Sequence, residues 1–158
     1  MVILEEKTLI NTSQEELFRW FEQLPKHYRS WHPDHVECRY LKGNMICRGA
    51  VLYVEEYLHG ELHRLKLRVT NVVPNREIHY RVTPGIRGGF YFTARGSGST
   101  VFEAYLHFGW NLRIFNQWFD GVLKSLLSDI LPELKQHMHE EGINLKKYIE
   151  LNRNSYTG

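Results

Sequence analysis

"AVLYVEEYLHGELHRLKLRVTNVV" (residues 50–73) reads as two strands joined by a tight turn at His59–Gly60. Within "HRLKLRVT" the apolar and the basic side chains alternate, so that the two sets fall on opposite faces: Leu65, Leu67 and Val69 on one, Arg64, Lys66 and Arg68 on the other. A period of two residues is typical of a strand with one buried face. The basic face is expected to be solvated rather than to bind a partner.

Similar segments lie on both sides of this hairpin. "REIHYRV" precedes Pro84–Gly85, "GFYFTAR" precedes the Gly-Ser cluster at 96–99, and "TVFEAYLHFGW" follows it. A further strand is predicted near the N-terminus, over roughly Val2 to Ile10. Short alternating segments separated by turn residues predict an antiparallel meander.

Two helices are predicted at the flanks of the meander. In "NTSQEELFRWFEQL" (residues 11–24), Thr12 or Ser13 can cap a helix, a glutamate follows three residues later, and Pro25 ends it. From about Ile114 the apolar residues recur every three or four positions, which indicates a C-terminal helix. Pro132 predicts a kink or a restart there. The apolar positions of this second helix are Leu123, Leu127, Ile130, Leu134 and Leu145.

This order of elements resembles the START/Bet v1-like, or helix-grip, superfamily. The resemblance implies an α+β fold in which a curved antiparallel sheet wraps around a long C-terminal helix, with a ligand cavity between them. The length of 158 residues predicts a single domain over residues 1–158.

Composition excludes several classes of protein. A formal charge of +2 without a long basic run argues against nucleic acid as the partner. No run of about 18 apolar residues and no signal-peptide pattern occurs, so a cytoplasmic protein without a membrane partner is expected. Cys38 and Cys47 have no metal-finger spacing and are expected to be reduced thiols.

"HMHEEG" (residues 137–142) contains two histidines and two glutamates. In a helix these four side chains would point to different faces. With about 100° per residue and Leu123 as origin, His137 falls near −40° and Glu141 near 0°. Both therefore lie inside the buried stripe. His139 falls near 160° and Glu140 near −100°, so these two are expected to be solvated. A histidine and a glutamate four residues apart can share a hydrogen bond or a metal ion.

The predicted sheet supplies further ligand candidates. Glu56 is the one charge on an otherwise apolar strand face, whereas Glu55 lies among tyrosines, although a β-bulge would exchange the two. In "YRSWHPDH" (residues 28–35), His35 opens the next strand, while His32 precedes a proline and shapes a turn. Asp34 is a candidate to orient an imidazole.

His35, Glu56, His137 and Glu141 together offer two imidazoles and two carboxylates. Such a nitrogen and oxygen set suits Zn²⁺, with iron or manganese as alternatives. Whether Glu55 replaces Glu56, or His32 replaces His35, stays open at this point.

The segments "YRSWHPDH", "EEYLHG" and "HMHEEGINL" resemble the 2,4-diacetylphloroglucinol hydrolase family. Members of that family have the helix-grip fold and hold zinc with a histidine, a glutamate and a His-x-x-x-Glu pair. They hydrolyse a carbon–carbon bond between an acyl group and a phenolic ring. The resemblance implies the ligands His35, Glu56, His137 and Glu141, and it places Tyr28 where a phenol can contact the substrate.

The function expected from these features is metal-dependent hydrolysis of a small phenolic or polyketide-like ketone. The departing ring carbon needs a proton, for which Tyr28 and His63 are the candidate donors. Two alternatives are a non-enzymatic protein that binds a hydrophobic small molecule and a metal-free cyclase or dehydratase. A homodimer is a further expectation, with Trp110 or Trp118 as candidate contacts.

Overall fold

The protein is described here by a computed structural model that covers residues 2–58, 60–83, 85–109, 128 and 130–155. Within these ranges the chain forms an α+β fold of seven strands and three helices. The strands are β1 Val2–Ile10, β2 His35–Lys42, β3 Val51–Leu58, β4 Glu61–Val73, β5 Glu77–Thr83, β6 Ile86–Arg95 and β7 Ser99–Phe108. The helices are α1 Gln14–Glu22, α2 Leu24–Trp31 and α3 Leu131–Ser155.

All seven of these strands belong to one curved antiparallel sheet with the order β1-β7-β6-β5-β4-β3-β2. Strands β2 to β7 follow one another as neighbours, so the predicted meander is confirmed. Strand β1 closes the series by pairing with β7 in the register Val2↔Phe108 to Ile10↔Thr100. The alternation in β4 is also confirmed, since Leu65 and Leu67 are partly buried while Arg64 and Lys66 are exposed.

The two short helices pack on the inner face of this sheet. Ser13 caps α1 by accepting a hydrogen bond from the backbone N–H of Glu16, as the capping pattern predicts. Phe21 of α1 is 1% exposed and its ring meets those of Phe90, Phe92 and Phe102 at centroid distances of 4.7, 5.2 and 5.4 Å. This aromatic contact joins the N-terminal helices to β6 and β7.

Helix α2 was not expected from the sequence. Helix α1 ends at Glu22, and Pro25 lies in the first turn of α2 instead of only terminating α1. Proline fits that position because the first N–H groups of a helix have no partner within the helix. His32, which follows α2 and precedes a proline, has the extended backbone that its position predicts.

Helix α3 lies along β1 and α2. Lys146 donates to the backbone oxygen of Leu9, and the indole N–H of Trp31 donates to the backbone oxygen of Glu141. Pro132 is the second residue of α3, and the predicted kink or restart there involves preceding residues that lie outside the described ones. Ile130 is 41% exposed, so its predicted burial is wrong. The expected helical residues Ile114, Leu123 and Leu127, like the candidate contacts Trp110 and Trp118, lie outside the described residues.

None of the helices in the described ranges combines the length and the apolar composition needed to cross a lipid bilayer.

Gly142 permits the close approach of α3 to β1. A Cβ atom at this position would lie 2.3 Å from Oγ1 of Thr8. We therefore expect Gly142→Ala to lower the free energy of unfolding by about 1–3 kcal/mol, even though alanine favours a helix over glycine by about 1 kcal/mol. Urea denaturation followed by circular dichroism measures the change.

Thr8→Ala provides the matched control for this contact. It removes Oγ1 and leaves Cβ of residue 8 at 3.4 Å from the added atom, an ordinary contact distance. The double variant Thr8→Ala/Gly142→Ala should recover most of the loss. A Gly142→Ala variant as stable as the wild-type protein would contradict the packing described for this pair.

Candidate metal centre

A cavity of about 280 Å³ lies between the inner face of the sheet and α3. Most of its lining is aliphatic or aromatic, contributed by strands β3 to β7 and by the helices. Its polar lining comes from Tyr28, Glu56, His63, Tyr80, His137 and Glu141. The sheet and α3 therefore bring the predicted helix pair to the same space as the predicted glutamate of β3.

His35 stands behind this lining, at the first position of β2. It pairs with Glu56 across the β2–β3 ladder and is 4% exposed. Its ring stacks on Tyr28 with centroids 4.0 Å apart and planes at 4°. Nδ1 lies 3.0 Å from the backbone oxygen of Tyr28. Because a carbonyl oxygen only accepts hydrogen bonds, Nδ1 carries the proton, and Nε2 of the neutral ring carries a lone pair.

That lone pair points into a group of acceptors. Oε1 of Glu141 lies 3.0 Å from Nε2 of His35, and Oε2 of Glu56 lies 3.7 Å from it. Neither contact has hydrogen-bond geometry, so Nε2 of His35 has no hydrogen-bond partner among the described residues. Nε2 of His137 is likewise buried without a partner there, 3.8 Å from Oε1 of Glu141. These four residues form the four-ligand cluster.

Three contacts within the four-ligand cluster have about the spacing that a tetrahedral cation imposes on its ligands. Bonds of about 2.0–2.2 Å to zinc place tetrahedral ligand atoms about 3.3–3.6 Å apart. The three contacts given above, at 3.0, 3.7 and 3.8 Å, lie close to that range. A proton could satisfy one of these contacts, whereas a divalent cation would satisfy more than one of them at once. The donor set is therefore suited to Zn²⁺.

Burial shapes the electrostatics of this cluster. It lowers the pKa of His35 and of His137, so that both imidazoles are favoured in the neutral form that binds metals. Burial also raises the pKa of Glu141 to about 7 and, together with the nearby Glu141 carboxylate, raises that of Glu56. Two carboxylates in one apolar cavity repel each other, and a cation between them would remove that repulsion.

The structure separates Glu55 from Glu56. Glu55 accepts hydrogen bonds from Tyr53 and from Arg64, whose Nε lies 3.1 Å away, on the outer face of the sheet. A bulge occurs between His35 and Glu37 of β2, but β3 continues in register and leaves Glu56 facing the cavity.

His32 lies next to the cluster, but its two nitrogens already have partners. Nδ1 accepts from the backbone N–H of Asp34 at 3.1 Å, so Nε2 carries the proton and donates to Glu140, also at 3.1 Å. One nitrogen each from His32, His35 and His137 nonetheless lies within 4.8 Å of the other two. The hydrogen bonds favour His35 over His32 as the ligand on this side.

The contacts modify the predicted roles of Asp34 and Glu140, whereas His139 is solvated as predicted. The Asp34 carboxylate is 3.9 Å from Nδ1 of His137, too far for a hydrogen bond. Glu140 is half-exposed, yet it orients the buried His32, so the prediction of a merely solvated side chain is incomplete. His139 is exposed, with Glu6 3.4 Å away.

The two candidate proton donors have different surroundings. The hydroxyl of Tyr28 donates to Oε2 of Glu56 at 2.8 Å, so this phenol positions a member of the four-ligand cluster. His63 lines the cavity and pairs across the β3–β4 ladder with Glu56.

Tyr80 was not singled out in the sequence, although the alternation of Ile78, Tyr80 and Val82 in β5 would have placed it inward.

Residues 1–139 match the model of a family described as polyketide cyclase/dehydrase and lipid transport. The chain belongs to this family. The matched region includes His137 and ends before Glu141. None of the curated proteins compared with the chain matches it.

Solved structures show the same fold as this polyketide cyclase/dehydrase family member. The crystal structure of TTHA0849 from Thermus thermophilus is 12% identical, with a TM-score of 0.71 over 96% of this chain and 99% of that one. The Zhui aromatase/cyclase from Streptomyces sp. R1128 is 12% identical, with a TM-score of 0.61 over 90% and 93%. A START superfamily protein from Mycobacterium smegmatis is 16% identical, with a TM-score of 0.61 over 90% and 98%.

These likenesses confirm the α+β helix-grip fold. The narrower resemblance to 2,4-diacetylphloroglucinol hydrolases stays a prediction.

Zinc binding is the first property to measure. Untagged full-length protein, stripped with a chelator, should take up one Zn²⁺ per chain by equilibrium dialysis and metal analysis. At 100 times the dissociation constant the ion should stabilise the fold by about 2.7 kcal/mol, which raises the melting temperature by roughly 5–10 °C. His35→Ala and His137→Ala should lose both effects.

His139→Ala is the matched control, because this exposed histidine lies on the same helix only two residues from His137. It should bind zinc like the wild-type protein. Loss of zinc with His32→Ala, but not with Glu56→Gln, would replace the carboxylate ligand by a third histidine. A wild-type protein that binds no zinc would contradict the metal site altogether.

Proposed function

We propose that this protein is a zinc-dependent hydrolase that cleaves the bond between an acyl carbon and a ring carbon of a small phenolic or polyketide-like ketone. The observation that supports it most is the pair of buried Nε2 atoms, on His35 and His137, that face the carboxylate of Glu141 without hydrogen-bond partners among the described residues. A site that only bound an apolar ligand would have no use for two carboxylates there.

A cation held by the four-ligand cluster would polarise a carbonyl oxygen and make water a stronger nucleophile. The cluster borders the apolar cavity, so the acyl group of a ligand seated there can reach it. On the other side of His137 lies a smaller hollow of about 180 Å³ whose lining includes Asp34, Gln136 and Glu140. This polar hollow is a route by which water can approach His137.

The chain's own residues would organise the remaining steps. Hydrolysis joins a water oxygen to the acyl carbon and breaks the bond to the ring. The electron pair goes to the ring carbon, which takes up a proton, and the products are a carboxylic acid and the deacylated phenol. The hydroxyl proton of Tyr28 is already engaged in a hydrogen bond to Glu56. His63, which faces the cavity beside Glu56, is therefore the better placed proton donor.

A metal-free cyclase or dehydratase is the second candidate, and the family match favours it. Such an enzyme would use the same imidazoles and carboxylates as acids and bases, and the raised pKa of Glu141, about 7, suits that role. A carrier of apolar molecules is the third, because the family description includes lipid transport.

Metal-dependent turnover separates these candidates. Zinc-loaded wild-type protein, incubated with acylated one-ring phenols such as acetylphloroglucinols, should release the carboxylic acid and the deacylated phenol, measured by chromatography. Chelator should stop the reaction and added zinc should restore it. Glu141→Gln should lower the rate by at least about 100-fold, whereas His139→Ala should not change it.

Two other results would replace the hydrolase proposal. Ring closure or loss of water from a linear polyketide by the metal-free protein would assign it to the cyclases or dehydratases. Tight binding of the ketones without any conversion, with or without zinc, would assign it to the carriers.

A further inference from the structure

Tyr80 lies in the cavity and takes no part in the four-ligand cluster. It belongs to β5, on the face that carries Ile78 and Val82, and its ring packs against Phe90 with centroids 5.8 Å apart. The lining of the cavity around this ring is largely apolar. A single polar group placed in an apolar cavity is the kind of group that orients a ligand.

Gly88 makes the position of this phenol available. It lies directly across the β5–β6 ladder from Tyr80. A Cβ atom at position 88 would lie 2.6 Å from the phenol oxygen, 2.7 Å from Cζ and 2.8 Å from Cδ2 of Leu106. Any other residue would therefore push the ring away from the sheet. The phenol of Tyr80 can pack over β6 because residue 88 has no side chain.

The phenol is also held in its donor form. Burial raises the pKa of Tyr80, and the carboxylates of Glu141 and Glu56 raise it further. The hydroxyl thus keeps its proton at neutral pH and can donate it to an acceptor. Tyr80 also lines the same cavity as Glu56, His137 and Glu141, so its hydroxyl and the four-ligand cluster can contact one ligand.

The size of the cavity limits that ligand. At about 280 Å³ it lies just below the range of about 300–1,000 Å³ that is usual for ligand sites. A molecule with one ring and a short acyl substituent suits this space, whereas a fused multi-ring polyketide does not.

We propose that Tyr80 is a specificity-determining residue that donates a hydrogen bond to a ring oxygen of a one-ring acylphenol, with Gly88 as the residue that permits this contact. The inference rests on the proposed function for the placement of the acyl group at the four-ligand cluster. The hydrogen bond from Tyr80 is a second polar contact with the ligand, on the sheet, and it favours phenols over ketones whose ring carries no oxygen.

Binding to the metal-free full-length protein tests this selection without turnover. The probes are acetophenone and its three monohydroxy isomers, with dissociation constants measured by isothermal titration calorimetry. At least one hydroxy isomer should bind wild-type protein about 3- to 10-fold more tightly than acetophenone, the usual worth of one hydrogen bond. In Tyr80→Phe this preference should fall below about 2-fold, while the affinity for acetophenone stays nearly unchanged.

Tyr105→Phe is the matched control. It makes the same substitution on the outer face of the sheet, where Tyr105 faces Gly89 and hydrogen-bonds to His79. Its preference for the hydroxy isomer should equal that of the wild-type protein. Gly88→Ala should lose the preference, as Tyr80→Phe does, because the added methyl group displaces the phenol.

Two outcomes would overturn the proposal: a wild-type protein that does not prefer any hydroxy isomer, or a Tyr80→Phe variant that keeps the full preference. Neither outcome bears on zinc-dependent turnover, which is measured separately with the loaded protein. Conversely, a protein without hydrolase activity can still show the Tyr80-dependent preference, so failure of the two proposals is distinguishable.

Discussion

The buried lone pair on Nε2 of His35 is the constraint around which the rest of the site is arranged. Nδ1–H of His35 donates a hydrogen bond to the backbone oxygen of Tyr28, and the lone pair on Nε2 then faces Glu141 at 3.0 Å and Glu56 at 3.7 Å. Acceptors brought together in a cavity are unfavourable unless a cation lies between them. The identity of that cation, a metal ion or a proton, decides between a metal-dependent hydrolase and a metal-free catalyst.

The fold assembles this constraint from separate pieces of the chain. Strand β2 supplies His35, β3 supplies Glu56, and one face of α3 supplies His137 and Glu141. The indole of Trp31 hydrogen-bonds to the backbone of Glu141 and so ties α2 to α3 at the level of the cluster. Since these contacts join elements that are distant in sequence, a shift of α3 would separate the ligands from one another.

The family match and the four-ligand cluster carry different kinds of information. Membership of the polyketide cyclase/dehydrase and lipid transport family, and the likeness to solved structures, establish the fold. One fold hosts many chemistries, so function has to be argued from the residues in the cavity. Here those residues include two carboxylates, two imidazoles and two phenols, a more polar set than apolar binding alone requires.

The sequence by itself determined the sheet, the ends of β1 and the inward faces of β4 and α3, because each depends on local periodicity. It also singled out His35, Glu56, His137 and Glu141, although it left Glu55 and His32 as alternatives. Only the tertiary structure showed that Glu55 bonds to Arg64 on the outer face and that His32 bonds to Glu140, since these partners lie far along the chain or across the sheet. The short helix α2 and the slot that Gly88 provides for Tyr80 were likewise decided by packing, which no local pattern records.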